Sequence, residues 1–417
     1  FSPIAKKMKE VFRLQLYNDA KTIWQKAIQS ALPDAAVARA LENADFTGGK
    51  LVLVAAGKAA WQMAKVAAGI LGDKLSGGIV VTKYDHAKGP IPGLEVYEAG
   101  HPVPDENSFK ATAAATAAVK DLGKGDHVLF LLSGGGSALF EQPLCTPAQL
   151  QDITSQLLKC GADIIEINTI RKRLSAVKGG RFAQLCAPAQ VFSVVLSDIV
   201  GDPLDMIASG PAYPDSSTCE EAVGIAEKYS LKLDANVWEL LRQETPKELD
   251  NVTTQITGSV RQLCASAEET CRALGYQPLV LTDRLTCIAR EAGELLAGLA
   301  SAKGISDRPL AFIAGGETVV KLTGKGLGGR NQELALAAAK VLDGREGTAL
   351  FSVGSDGTDG PTDAAGGYVD STTAERLRQQ GISIDAVLAD NDSYHALEKV
   401  DGLIITGATG TNDNALA

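Results

Sequence analysis

The chain has 417 residues, 45% of them hydrophobic and 22% charged, and its net charge is −10. That length allows two or three domains with a sizeable core. The acidic balance argues against nucleic acid or an anionic membrane surface as the main partner, and no apolar run reaches the ~18 residues of a membrane span.

Helical patterning opens the chain over residues 5–31 and returns in "AAVARALEN". The first strand signal is "KLVLVAAG", Lys50 to Gly57, followed by the helix "KAAWQMAKVAAGIL". Strand "GGIVVTK" leads into a loop rich in Gly, Pro and His that ends "EAGHPVPDENS". An Ala-rich helix starts at Ser108, and strand "HVLFLL" then runs into "SGGGS", Ser133 to Ser137. A helix near 147–160 precedes the basic segment "INTIRKRLSAVKGGRFAQL". Strand "VFSVVLS" enters the loop "DIVGDPLDMIASGPAYPD", and residues 218–274 read as a long helical stretch with weak breaks. A second block follows, with "QPLVLT", a helix over 286–302, "LAFIAGGETVVKL", "GKGLGG", a helix over 330–342, "TALFSVGSDG" and "GLIITG". Strands alternating with helices predict an α/β fold, a doubly wound parallel sheet with a second α/β domain. The expected cut lies near residue 237, giving domains 1–237 and 238–417.

The seven cysteines, Cys145, Cys160, Cys186, Cys219, Cys264, Cys271 and Cys287, are odd in number and form no CxxC. That usage predicts reduced, mostly buried thiols in a reducing compartment such as the cytoplasm. The first twenty residues lack a signal-peptide core, and a transit peptide is left open.

In parallel sheets, ligands bind beyond the carboxyl ends of strands. Unusual chemistry gathers at those ends. Ser133, Gly134, Gly135, Gly136 and Ser137 offer amides that an anion can approach without meeting a Cβ. The plain alternative is a tight strand-to-helix turn. Lys58 follows strand "LVLVAAG" at an expected helix start, where a cation is unfavourable unless an anion joins it. Arg171, Leu174, Lys178 and Arg181 would share one helical face, which is either a solvated stripe or a clamp for a carboxylate or phosphate. Asp198 at a strand end suits proton acceptance from a hydroxyl, holding a metal, or turn and capping work. "GSDGTDGPTDAAGG" holds Asp356, Asp359 and Asp363, with no EF-hand spacing but suited to Mg²⁺ shared with phosphates, or to simple Asx-turns. "GGRNQE" adds Arg330 and Asn331 at a helix start. "GKGLGG", Gly324 to Gly329, matches G-x-G-x-x-G, yet no ribose-binding acid is cleanly placed after it. The four histidines show no zinc spacing, and neither a P-loop nor a G-x-S-x-G elbow is present.

Together "AAGKAAWQMA", "AGHPVPDENS", "LLSGGGSAL", "EINTIRKRLSAVKGGR", "LSDIVGDPLDMIASGP", "GGETVVKLTGKGLGGRNQELAL", "GSDGTDGPTDAAGG" and "TGATGTN" resemble the glycerate kinase type-2 family, whose C-terminal domain is called MOFRL. The resemblance runs along essentially the whole chain. It implies a Rossmann-like N-terminal domain, a smaller α/β domain, and an active site in the cleft between them. It implies phosphorylation of D-glycerate by ATP at the 2-hydroxyl, with Mg²⁺. Older naming in the family leaves hydroxypyruvate reduction by NAD(P)H as the alternative. On the kinase reading, Lys58 and Asp198 are catalytic, Asp198 orienting or deprotonating the glycerate hydroxyl. Arg171, Lys178, Arg330 and Asn331 hold the substrate. Ser133 to Ser137, with Thr409, Gly410, Thr411 and Asn412, hold the nucleotide, and Asp356 and Asp359 hold the metal. The end "TGTNDNALA" departs from the family pattern, so no role is carried to Asn414. The expected partners are small molecules, with a homodimer allowed.

Overall fold

The computed structural model describes residues 3–197, 204–302, 308–407, 409 and 415–417, with side chains from residue 7 onward. The chain forms two compact units, one of Ala36–Thr257 and one of Phe1–Ala35 with Gly258–Ala417. Among the described residues, no helix is long and apolar enough to cross a membrane.

The continuous unit is built on six strands: β1 (Leu51–Ala56), β2 (Gly77–Lys83), β3 (Glu95–Ala99), β4 (His127–Leu132), β5 (Gln190–Leu196) and β6 (Val252–Thr257). All neighbours are parallel, in the order β3-β2-β1-β4-β5-β6. This is the strand order of the Rossmann fold. Strands buried on both faces must be apolar throughout, and "LVLVAA" and "HVLFLL" are. Successive side chains point to opposite faces. Val54, Ala56 and Phe130 therefore meet Ala111, Ala115 and Val119 of the helix Glu106–Val119. Leu53, Ala55 and Leu131 meet Val37 of the helix Pro33–Leu41 and Met63 of the helix Ala60–Leu71. The chain steps outward from β1 to β3, then returns to the centre for β4 and steps out the other way. The gap above β1 and β4 is the topological switch point, where open α/β sheets bind ligands.

The other unit carries β7 (Gln277–Leu285), β8 (Leu310–Gly316), β9 (Ala349–Gly354), β10 (Gly366–Asp370), β11 (Leu403–Ile404) and β12 (Ala415–Leu416). Their order is β11-β10-β9-β12-β8-β7, and only β7 and β8 run parallel. One side packs on the helix Arg330–Leu342. On the other, Ile23, Trp24, Ala27 and Ile28 of the first helix, Pro3–Ala31, share a core with Leu263, Ile313, Val353 and Tyr368.

The units divide after Thr257 rather than near residue 237. The stretch 218–274 is not one helical run. It holds the helices Cys219–Lys228 and Ala235–Leu241, then β6, then the helix Val260–Ala273. β6 completes the parallel sheet beside β5, so the unit extends to its end. The first helix belongs with the later residues because its apolar face finds its core there.

Candidate active site

At the switch point the turns after β1 and β4 are stitched together. Lys58 N–H donates to Gly134 O (2.8 Å), Ala59 N–H to Ser133 Oγ (3.1 Å), and Ser133 N–H to Ala56 O (3.0 Å). Ser133 is fully buried, so its hydroxyl is a structural acceptor rather than a group open to ligand. The glycines have separate causes. A Cβ on Gly57 would lie 2.1 Å from Ser133 Oγ, and one on Gly136 would lie 2.6 Å from Ala208 Cβ. Both are packing requirements. Gly135 has φ of 84°, which a side chain would strain, and its α-carbon is flanked by Lys58 and His101. Among the described residues, the amides of Gly134, Gly135 and Ser137 meet no acceptor. The Lys58 side chain is exposed and makes no ion pair with any described residue. Bare amides beside a bare cation suit an oxyanion.

The basic segment is organised differently from its sequence pattern. The helix Ile164–Arg173 stops at Arg173, and Gly179 and Gly180 take φ of 59° and 85° before a new helix starts at Arg181. The expected common face of 171, 174, 178 and 181 therefore does not form. Lys178 is fully buried, donates to Phe140 O (2.8 Å) and lies 3.2 Å from Glu141. Burial outweighs the Glu141 carboxylate and pushes the Lys178 ammonium down to about 8. It supports the glycine turn from beneath and is not placed to bind substrate. Arg171 donates to Ser137 O (3.0 Å) and lies 3.9 Å from Glu141. It keeps part of its side chain accessible. Lys172 and Arg173 are buried on Asp215, Ser217 and Glu244, and Arg181 donates to the carbonyls of Lys172, Arg173 and Ser175. Most of this charge is an internal scaffold.

In the other unit, "GKGLGG" is not a cofactor loop. The amides of Thr323 and Gly324 donate to Asn391 Oδ1, that of Lys325 to Asp390 Oδ1, that of Gly326 to Asp390 O and that of Leu327 to Asp392 Oδ1. A Cβ on Gly324 would lie 2.3 Å from Asp390 Cα. The glycines let two backbones touch, and the amides of Gly324 to Leu327 are engaged within the protein. Asp359 is buried and accepts from Asn331 N (3.1 Å), Asn331 Nδ2 (3.1 Å) and Gln332 N (2.8 Å) at the start of the helix Arg330–Leu342. Desolvation raises its carboxyl to about 6 against these donors. It caps a helix, and its oxygens do not suit an Mg²⁺ ligand. Asn331 is buried between Asp359 and Ser352, which leaves it no contact for substrate. Arg330 is partly exposed, with Glu317 at 3.7 Å. Asp356 is half-buried and accepts from Thr358 N (3.1 Å) and Thr358 Oγ1 (2.8 Å), and a carboxylate at such a turn is the kind that Mg²⁺ shares with phosphates. Thr409 donates its hydroxyl to Ser355 O and its amide to Asp356 O, bracing that turn. Asp198, Gly410, Thr411 and Asn412 lie outside the described residues. Among the described residues, the one group of three metal-type ligands is Cys219, Glu220 and Glu244, where Glu244 already pairs with Arg173.

Fold and turn chemistry define an α/β protein with a Rossmann-like doubly wound sheet and a second, smaller α/β unit. Comparison with known proteins narrows this. Residues 19–242 match a domain of unknown function (DUF4147), and residues 310–415 match the MOFRL family. The chain is 52% identical over 400 residues to a D-glycerate 2-kinase of Thermotoga maritima, covering 94% of this chain and 95% of that protein. It is 39% identical over 380 residues to a protein of Agrobacterium vitis provisionally named hydroxypyruvate reductase, covering 88% and 98%. The crystal structure of a glycerate kinase from Thermotoga maritima superposes with a TM-score of 0.91 at 50% identity, over 96% of this chain and 98% of that one. The chain belongs to the glycerate kinase type-2 (MOFRL) family.

Proposed function

We propose that the protein is a glycerate 2-kinase, transferring the terminal phosphoryl group of ATP to the 2-hydroxyl of D-glycerate to give 2-phosphoglycerate and ADP. The observation that carries the reading is the switch-point turn pair, where the amides of Gly134, Gly135 and Ser137 meet no acceptor among the described residues and Lys58 beside them forms no ion pair with those residues. Phosphoryl transfer needs positioning and charge neutralisation rather than covalent help from the protein. The amides receive phosphate oxygens, and Lys58 offsets charge that builds on the transferring group. The glycerate 2-oxygen bonds to the γ-phosphorus as the bond to the β,γ-bridging oxygen breaks, and the hydroxyl proton passes to Asp198. Arg171 and Arg330 are the candidate partners of the glycerate carboxylate. Lys178 holds the turn in place. Asp356 would be the protein ligand of Mg²⁺, which when bound would neutralise phosphate charge.

Reduction of hydroxypyruvate would need a nicotinamide site, and in the one matching glycine loop the amides of Gly324 to Leu327 are bonded to residues 390–392. We place the enzyme in the cytoplasm, in keeping with seven free cysteines, acting on small molecules rather than nucleic acid, with a homodimer allowed. The test combines protein, D-glycerate, ATP and Mg²⁺, follows ADP release, and identifies the product by NMR. ADP release with 2-phosphoglycerate is expected. NAD(P)H consumption with hydroxypyruvate and no ADP release overturns the reading.

A further inference from the structure

The motif "AGHPVPDENS" has a structural account for nearly every polar residue in it. Asp105 caps the helix Glu106–Val119, accepting from Ser108 N at 3.0 Å, while Ser108 Oγ accepts from Asp105 N at 3.2 Å. Tyr84 Oη donates to Asp105 Oδ2 (2.6 Å), and Asn107 Nδ2 donates to Tyr84 Oη (2.9 Å). A Cβ on Gly100 would lie 2.7 Å from Val103 O and 2.9 Å from Asp105 Oδ2, so the turn is closed on itself. His101 has no such job. It is half-buried, and neither ring nitrogen bonds to any described residue. Its Cδ2 and Nε2 lie 3.0 and 3.2 Å from where a Gly135 Cβ would be, and Lys58 Cγ lies 3.2 Å from the same point. The turn therefore holds one unpartnered imidazole edge and the Lys58 stem against the same α-carbon of the glycine run.

We propose that His101 contacts the ligand in the anion site, its imidazole Nε2–H donating to a phosphate oxygen that also meets the Gly135 amide and Lys58. The assignment rests on the switch-point turns being the phosphate site. The charged groups that face His101 are Lys58 after β1, and Lys83 and His86 at the end of β2. No carboxylate is among them. Burial first, then these three groups, hold the imidazole below its usual range, so the free site carries it neutral near pH 7. A bound phosphate brings the missing negative charge to an imidazole that already faces cations. It favours the imidazolium, so binding takes up protons, and affinity falls as pH rises through the bound-state value.

The test is calorimetric titration of the whole protein with ADP, and separately with inorganic phosphate, in buffers of different ionisation enthalpy across pH 6–8. The variants are His101→Gln, which keeps an N–H near Nε2, and His101→Phe, which does not. Wild type should take up protons on binding ADP. His101→Gln should lose that uptake and keep most of the affinity. His101→Phe should lose the uptake and bind ADP roughly tenfold or more weakly. Proton uptake unchanged in His101→Gln, or wild-type affinity in His101→Phe, overturns the assignment while leaving the phosphate site standing. If ADP binding is also insensitive to Lys58→Ala, the site itself is wrong and both readings fall.

Discussion

At the scale of single residues, burial separates groups that can act on a ligand from groups that only hold the fold. Lys178 and Glu141 are the clearest pair. Both are fully buried, they pair at 3.2 Å, and neither Glu141 oxygen accepts a well-formed hydrogen bond from the described residues. Removing one partner leaves an uncompensated charge, so Lys178→Met should cost about 3–5 kcal/mol of stability. Lys178→Met with Glu141→Leu should recover much of that loss. Urea denaturation of the four proteins measures the coupling, and additive losses would show that the pair is not a unit. Asp359 gives a pH signature. Its carboxyl rises from 3.8 to about 6 on folding, so the folded chain binds the proton more readily than the unfolded one. Its contribution to stability is therefore full below pH 3.8 and is lost as pH rises through 6, by roughly 3 kcal/mol in all. The stability difference between wild type and Asp359→Asn should shrink across that window and then level off. A difference that stays flat from pH 4 to 7 would remove desolvation as the dominant cause.

At the scale of elements, the glycine loops show how one sequence signal serves two physical ends. In "SGGGS" Gly136 is demanded by its neighbours and Gly135 by its positive φ, while three amides of the run meet no acceptor among the described residues. In "GKGLGG" a Cβ on Gly326 would lie 2.4 Å from Asp392 Cβ and 2.6 Å from its Cα. Gly326→Ala should thus lower stability by roughly 1–3 kcal/mol through overpacking. Gly69, in a helix with open space around it, is the control, and Gly69→Ala should leave stability level or raise it by up to about 1 kcal/mol. Thermal denaturation of both variants checks this, and equal effects would mean the loop can yield. The four strands "KLVLVAAG", "GGIVVTK", "HVLFLL" and "VFSVVLS" were legible because strands buried on both faces read as continuous apolar runs. β3, "EVYEA", and β6, "VTTQIT", are edge strands with exposed polar positions, so their runs are broken. The β-branched residues of β6 were the signal available for it. The basic face at 171–181 failed because the helix that periodicity would have continued ends at Arg173, and the chain crosses Ser175, bridged to Pro143, before a new helix starts at Arg181.

At the scale of the whole chain, what pattern cannot show is which distant segment completes which core. Lys58 and the glycine run were found locally, because each sits at the end of an obvious strand. His101 was not, since its role depends on β3 lying two strands from β1 in a sheet whose order only folding reveals. The first helix is the extreme case. Its core partners, Leu263, Ile313, Val353 and Tyr368, all lie in the last part of the chain, and Trp24 makes edge contacts with Tyr17 and Phe351 at 5.9 and 5.3 Å. Trp24 is 4% exposed, so Trp24→Ala opens a large cavity in that core and should cost about 3–5 kcal/mol. The loss should be local in origin. Hydrogen exchange should quicken in β8, β9 and the helix Val260–Ala273, which the Trp24 core covers. β1 and β4, buried between two other cores, should keep their protection. Faster exchange in β1 and β4, with β8 and β9 unchanged, would mean that the first helix supports the parallel sheet instead.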